Sequence, residues 1–135
     1  MKKAGLYIFL AGCVLFMCAC SAKKEDKEKL RDIEFTVVDS YDAPEELQEK
    51  IDSKKEKTFE ISYADEGYLY IAKGYGSQDT SGYSVEVKSC YETENGIYLK
   101  TNLLGPPSSE EIIEGKTYPY VIVKMEYSDK NIVFN

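Results

Sequence analysis

Two hydrophobic patterns run along this chain. The first is unbroken: Lys2 and Lys3 head an uncharged apolar run, residues 4–19, of 16 residues. The second is a series of short alternating stretches from Ile33 onward. In 33–38, Ile33, Phe35 and Val37 alternate with Glu34 and Thr36, and in 58–63, Phe59, Ile61 and Tyr63 alternate with Thr58, Glu60 and Ser62. A period of two marks a half-buried strand. Stretch 68–75 is apolar on both parities at first, and 118–127 contains Tyr120-Val121-Ile122-Val123, so both read as central strands. In 83–91, Tyr83, Val85, Val87 and Tyr91 share one parity, and Cys90 falls on the other with Glu86, Lys88 and Glu92. Ile97, Leu99 and Leu103 mark a strand over 97–104, and a last short one, 132–134, comes after a turn at 128–131. Pro119 has no N–H and belongs at the start of its strand.

Asn95-Gly96 signals a hairpin. A three-residue loop, 94–96, sets Tyr91 opposite Leu99 and Val87 opposite Leu103, apolar against apolar, and predicts a left-handed Gly96. One helix is expected over about 43–55. Asp42 and Glu45 have capping-box spacing, Pro44 suits the first turn, and Leu47 and Ile51 form a narrow apolar stripe for a sheet edge or end. Ser108 and Glu111 repeat the capping spacing and suggest a short helical turn. The expected fold is therefore mainly β with some α (α+β): an antiparallel sandwich or partly open barrel of about seven strands, with one short helix.

The unbroken run, at about 1.5 Å per residue, falls short of the ~30 Å hydrocarbon core of a bilayer. Basic start, apolar middle and small residues at the end read as a signal peptide, residues 1–19; a short anchor that is never removed is the alternative. Met17, Ala19 and Cys20 look like a bacterial lipobox, in which Cys20 becomes the lipidated first residue. Cys13 and Cys18 then leave with the leader. Two acyl chains hold a protein at a membrane firmly where one does so marginally, so the expected location is the extracytoplasmic face of a cell membrane. Nine of the twelve residues 21–32 are charged, with alternating signs, so residues 20–32 read as a tether that does not fold alone. The domain proper is 33–135.

Charge and composition narrow the function. The chain carries −7 formally, and residues 33–135 hold 10 Lys or Arg against 20 Asp or Glu. Such a surface repels phosphates, which argues against a nucleic-acid partner. There is no histidine. That removes the usual general base, the commonest metal ligand, and the Ser–His and Cys–His pairs. No calcium-loop spacing occurs, and Gly74-Tyr75-Gly76 lacks the third glycine of a dinucleotide fingerprint. Pairs such as Asp65-Glu66 and Glu110-Glu111 read as solvated turns. Cys90, the one thiol of the domain, reads as a small strand residue without chemistry. No enzyme, no metal and no cofactor is the expectation.

Two loops remain, 74–83 and 105–120, and tyrosine crowds their ends at Tyr75, Tyr83, Tyr118 and Tyr120. Such rings either close the sheet core or present an aromatic contact surface. The stretches SGYSVEVKSCYETENGIYLKT and TYPYVIVKMEYSDKNIVF resemble the C-terminal domain of the PrcB family of protease-complex subunits. Gly82 and Tyr83 match its Gly-Tyr pair at a strand start; Tyr118, Pro119 and Tyr120 match its Tyr-Pro-Tyr strand. Where the family often has Pro-Thr-Gly this chain has Asp79-Thr80-Ser81, and where it tends to a Thr-Gln step this chain has Glu114-Gly115-Lys116. The resemblance implies a non-catalytic surface lipoprotein that binds and stabilises an extracytoplasmic protease. Tyr75, joined to Gly82, Tyr83, Tyr118, Pro119 and Tyr120, completes the expected partner-binding set. The alternative is a protease inhibitor acting through loops 74–83 and 105–118.

Overall fold

The computed structural model describes residues 29–135. The leader, Cys20 and the tether as far as residue 28 lie outside the described residues. Residues 29–135 form a sandwich of two open sheets, with one helix laid on the free face of the inner sheet. The inner sheet has the order β2-β9-β4-β3 (β2, Phe35–Val38; β9, Tyr120–Glu126; β4, Tyr68–Tyr75; β3, Thr58–Asp65), with every pair antiparallel. The outer sheet runs β1-β6-β7-β10 (β1, Arg31–Asp32; β6, Ser84–Glu92; β7, Ile97–Leu104; β10, Ile132–Phe134). Two short strands, β5 (Gln78–Thr80) and β8 (Glu114–Thr117), pair separately. The helix α1 spans Glu45–Lys54.

The inner sheet is apolar on both faces because both are covered. On one, Leu47 and Ile51 of α1 meet Phe59, Ile61, Tyr70, Ala72 and Ile122. On the other, Leu69, Ile71, Val123 and Met125 meet Cys90, Ile97 and Leu99 of the outer sheet. This explains the unbroken apolar runs of β4 and β9, which are the two central strands. Phe59 and Tyr120 flank Gly74 across the ladder, and Phe59 lies so close over it that an added Cβ would sit 2.1 Å from the ring. The Tyr63 hydroxyl hydrogen-bonds the Glu46 carboxylate and ties α1 to β3.

The structure corrects several expectations. Ten strands form among the described residues, with the short β1, β5 and β8 added to the expected set, and β10 lies parallel to β7. The sheets stay open, so a sandwich rather than a barrel forms. The stretch 33–38 is not one strand: the chain leaves the outer sheet after Asp32 and enters the inner one at Phe35, and Val37, on an edge strand, is 56% exposed. The helix starts later than the capping spacing predicts. Pro44 takes the N-cap position with no side-chain cap, while Asp42 belongs to a separate 3-10 turn. Leu47 and Ile51 are buried against the face of the inner sheet, not its edge. At Pro107 a single turn closes, from the Glu110 N–H to the Pro107 carbonyl, and no helix forms there.

The β6–β7 hairpin does not take the expected register: Tyr91 pairs with Tyr98, not Leu99, and Val87 with Thr101, not Leu103. The ladder slips between Val87 and Ser89, a bulge that reverses the parity of everything after it. Cys90 therefore points into the core opposite Leu99, and Tyr91 moves to the outer face, stacked on Tyr98 with centroids 5.4 Å apart. The turn is closed from Thr93 N–H to the Gly96 carbonyl, with the Thr93 hydroxyl accepting from the Asn95 and Gly96 amides. Gly96 is not left-handed; it is small because the Asn131 carbonyl oxygen packs where a Cβ would stand, 2.7 Å away. The two-residue turn with positive φ lies instead at Glu66 and Gly67, between β3 and β4.

Candidate functional site

Strand directions give the domain two poles. Chain entry lies at one, where the Leu30 N–H donates to the Glu92 carbonyl and Glu92 pairs with both Arg31 and Lys130 at 2.7 Å. The other gathers the ends of β4 and β7 and the starts of β3, β6 and β9. Both tyrosine-edged loops meet at this second pole.

Pairing of β5 with β8 joins them. Lys116 Nζ reaches Asp79 Oδ1 at 2.7 Å, and the Thr117 hydroxyl donates to the Thr80 carbonyl at 2.7 Å. The Ser81 N–H donates to the Ile113 carbonyl, and the Ile113 N–H donates to the Ser81 hydroxyl. Gly82 has φ +95°, a conformation that L side chains rarely adopt, and Pro106 lies 2.5 Å from where its Cβ would be. A side chain at 82 would both strain the backbone and push the second loop away. Asp79 and Lys116 are among the residues at which this chain departs from the family pattern, and here the departure forms an ion pair.

All six expected contact residues lie at this pole, each of them half-buried. Tyr75 bonds the Thr101 hydroxyl at 2.6 Å, linking the two sheets, and its N–H donates to the Pro119 carbonyl. Tyr83 lies beside Gly105. Tyr120 packs on Phe59 on the helix side, and the Tyr118 ring carries Lys55 Nζ 5.2 Å from its centroid. Tyr75 and Tyr120 thus point to opposite faces of the inner sheet. These residues form the floor of the pole.

Above the floor stand residues that periodicity does not single out. Ile112 and Ile113 are 51% and 69% exposed. Glu110, Glu111 and Glu114 flank them along the chain, exposed and without an ion pair among the described residues. Their one signal in the sequence is two adjacent apolar residues in a loop with no alternating partner. On the helix side a cleft of about 540 Å³ is lined by Phe59 together with Lys54 and Lys57 and, against them, Glu56 and Glu60. The pole is therefore acidic along the isoleucine segment and of balanced charge in the cleft at the end of α1.

Among the described residues, no group of three or more His, Cys, Asp or Glu could hold a metal ion. Burial pushes the Cys90 thiol up to about 11, so little of it is thiolate at neutral pH. A broader groove, about 830 Å³, opens near the chain entry between Arg31, Phe35, Tyr68, Lys124 and Tyr127.

Fold and pole together define a small, mainly β sandwich domain that presents two stapled loops at one end. Residues 69–126 match the family model described as PrcB C-terminal, which supports a PrcB-family domain in this part of the chain. The match runs from β4 to the end of β9, a little under half of the chain, and includes both loops. A domain of this family suggests a protease-complex-associated role and a non-catalytic accessory subunit. No curated protein and no solved structure matches the chain.

Proposed function

We propose that this protein is a lipid-anchored accessory subunit that binds and stabilises an extracytoplasmic protease. Cys20 is the attachment point, residues 20–32 are the tether, with Arg31 and Asp32 at its end paired to β6, and the two-loop pole is the face offered to the partner. The observation that carries the reading is the PrcB C-terminal match over 69–126, which spans both loops of the pole. The entry of the chain at the opposite pole is consistent with it, because an anchored domain then holds its loops away from the bilayer. The stapling of loop 74–83 to loop 105–118 favours a docking surface over an inhibitor, whose cleft-entering segment needs to stand free.

The test has two arms. The tagged full chain, solubilised from membranes in mild detergent, is expected to copurify with a protease subunit whose level or maturation drops when the gene is deleted. Cys20→Ala is expected to move the chain from the membrane fraction to the soluble one. Unchanged protease level and maturation after deletion would refute the subunit role, and membrane retention of Cys20→Ala would refute the anchor.

A further inference from the structure

Deepening the subunit reading, and resting on it, the geometry points to Ile112 and Ile113 as a preformed knob. The occupant it fits is a partner protein with an apolar pocket rimmed by Arg or Lys. Exposure, a fixed backbone and the surrounding charge carry this.

The backbone beneath the knob is fixed. Both the N–H and the C=O of Ile113 are bonded to Ser81, and the Glu110 N–H closes the turn onto Pro107. The isoleucines are exposed because a satisfied backbone holds them outward, not because the segment has frayed. Two neighbouring β-branched side chains in a set geometry lose little freedom on docking, which is how preorganisation strengthens binding. Exposed apolar residues gathered on a small domain, within a polar surround, mark contact sites.

Charge then selects the occupant. Glu110 and Glu111 precede the isoleucines and Glu114 follows them, all three exposed, while the nearest cation along the chain, Lys116, is held by Asp79. These three carboxylates disfavour an anionic lipid surface or an acidic protein, and they favour a cationic rim.

A second copy of this chain, which offers Lys54 and Lys57 of its own, is the competing occupant. Chain entry at the far pole weighs against it. Two copies anchored in one membrane would each have to tip over on the tether to bring these poles face to face.

The test replaces Ile113 by benzoylphenylalanine in the full-length, membrane-bound chain and illuminates the cells that make it. Tyr127, at the opposite end of β9, and Glu49, on the outside of α1, carry the same probe as controls. The expected result is an adduct from position 113 alone, mapped by mass spectrometry to a partner segment bordered by Arg or Lys. Its yield is expected to fall roughly tenfold when Ile112 becomes Ser, and again when Glu110, Glu111 and Glu114 become Lys. Thermal melts matching the unsubstituted chain show that these exposed changes leave the fold intact. An adduct with a second copy, or with a segment lacking cations, overturns the proposal. Silence at 113 with capture at 127 or 49 of a copurifying protease overturns the knob and leaves the subunit reading standing. Silence at all three, with no protease copurifying, overturns both.

Discussion

Lys116 Nζ lies 2.7 Å from Asp79 Oδ1, a bond between two loops 37 residues apart in the chain. The hydrogen bond and charge of Lys116 hold the Asp79 carboxyl below its ordinary range. Both side chains are well exposed, and exposed pairs contribute little to stability. Asp79→Ala is therefore expected to leave the thermal midpoint nearly unchanged. Amide exchange at Thr80 and Thr117 is the more sensitive readout, and faster exchange there is expected, because the ion pair sits on the two-stranded ladder that positions the pole.

Gly74 is required by its neighbour. Gly74→Ala drives a methyl group into the buried Phe59 ring, and overpacking of this kind costs roughly 1–3 kcal/mol. Urea denaturation should show that loss, and adding Phe59→Leu should recover part of it. A glycine substitution without loss would mean that the Phe59 ring has room to move.

Leu47 is the deepest contact of α1 on the inner sheet. Leu47→Ala is expected to cost about 2–5 kcal/mol in equilibrium unfolding. The neighbouring exposed position gives the contrast: Glu49→Ala should stay within about 0.5 kcal/mol.

Glu92 makes stability pH-dependent. Lys130, by hydrogen bond and charge, and Arg31 hold its carboxyl below the usual value against the opposing effect of burial. A carboxylate with a depressed folded pKa contributes stability above its unfolded pKa, about 4.3, and loses that contribution as pH falls through the folded value. Glu92→Gln should therefore lower the thermal midpoint at neutral pH. The gap between variant and parent should close on acidification below about pH 4. A gap that persists in acid would assign the effect to packing.

Periodicity reveals a mainly β fold with one helix and leaves sandwich and open barrel undivided. The double-sided apolar runs of 68–75 and 120–123 announce the two central strands, and Leu47 with Ile51 announces the helix. It fails where one residue breaks phase. The bulge between Val87 and Ser89 sends Cys90 inward and Tyr91 outward, and no local pattern encodes that insertion. A local rule makes Gly96 a left-handed turn residue, but its constraint comes from Asn131, far along the chain and invisible to such a rule. At the pole, tyrosine-rich loop ends are the legible part. Those rings form the floor, and the exposed groups are Ile112 and Ile113, which carry no periodic signature because they stay largely in solvent.

The short strand β1 bears on how the domain would respond to tension. It runs antiparallel to β6, with Arg31 opposite Glu92 and Asp32 opposite Tyr91. A pull along the axis of β1 would load it lengthwise. The amides of Leu30 and Ile33, bonded to the Glu92 and Cys90 carbonyls, would resist together in shear and would not unzip one after another. For a pull along that axis, these two bonds share the load where the chain enters the domain.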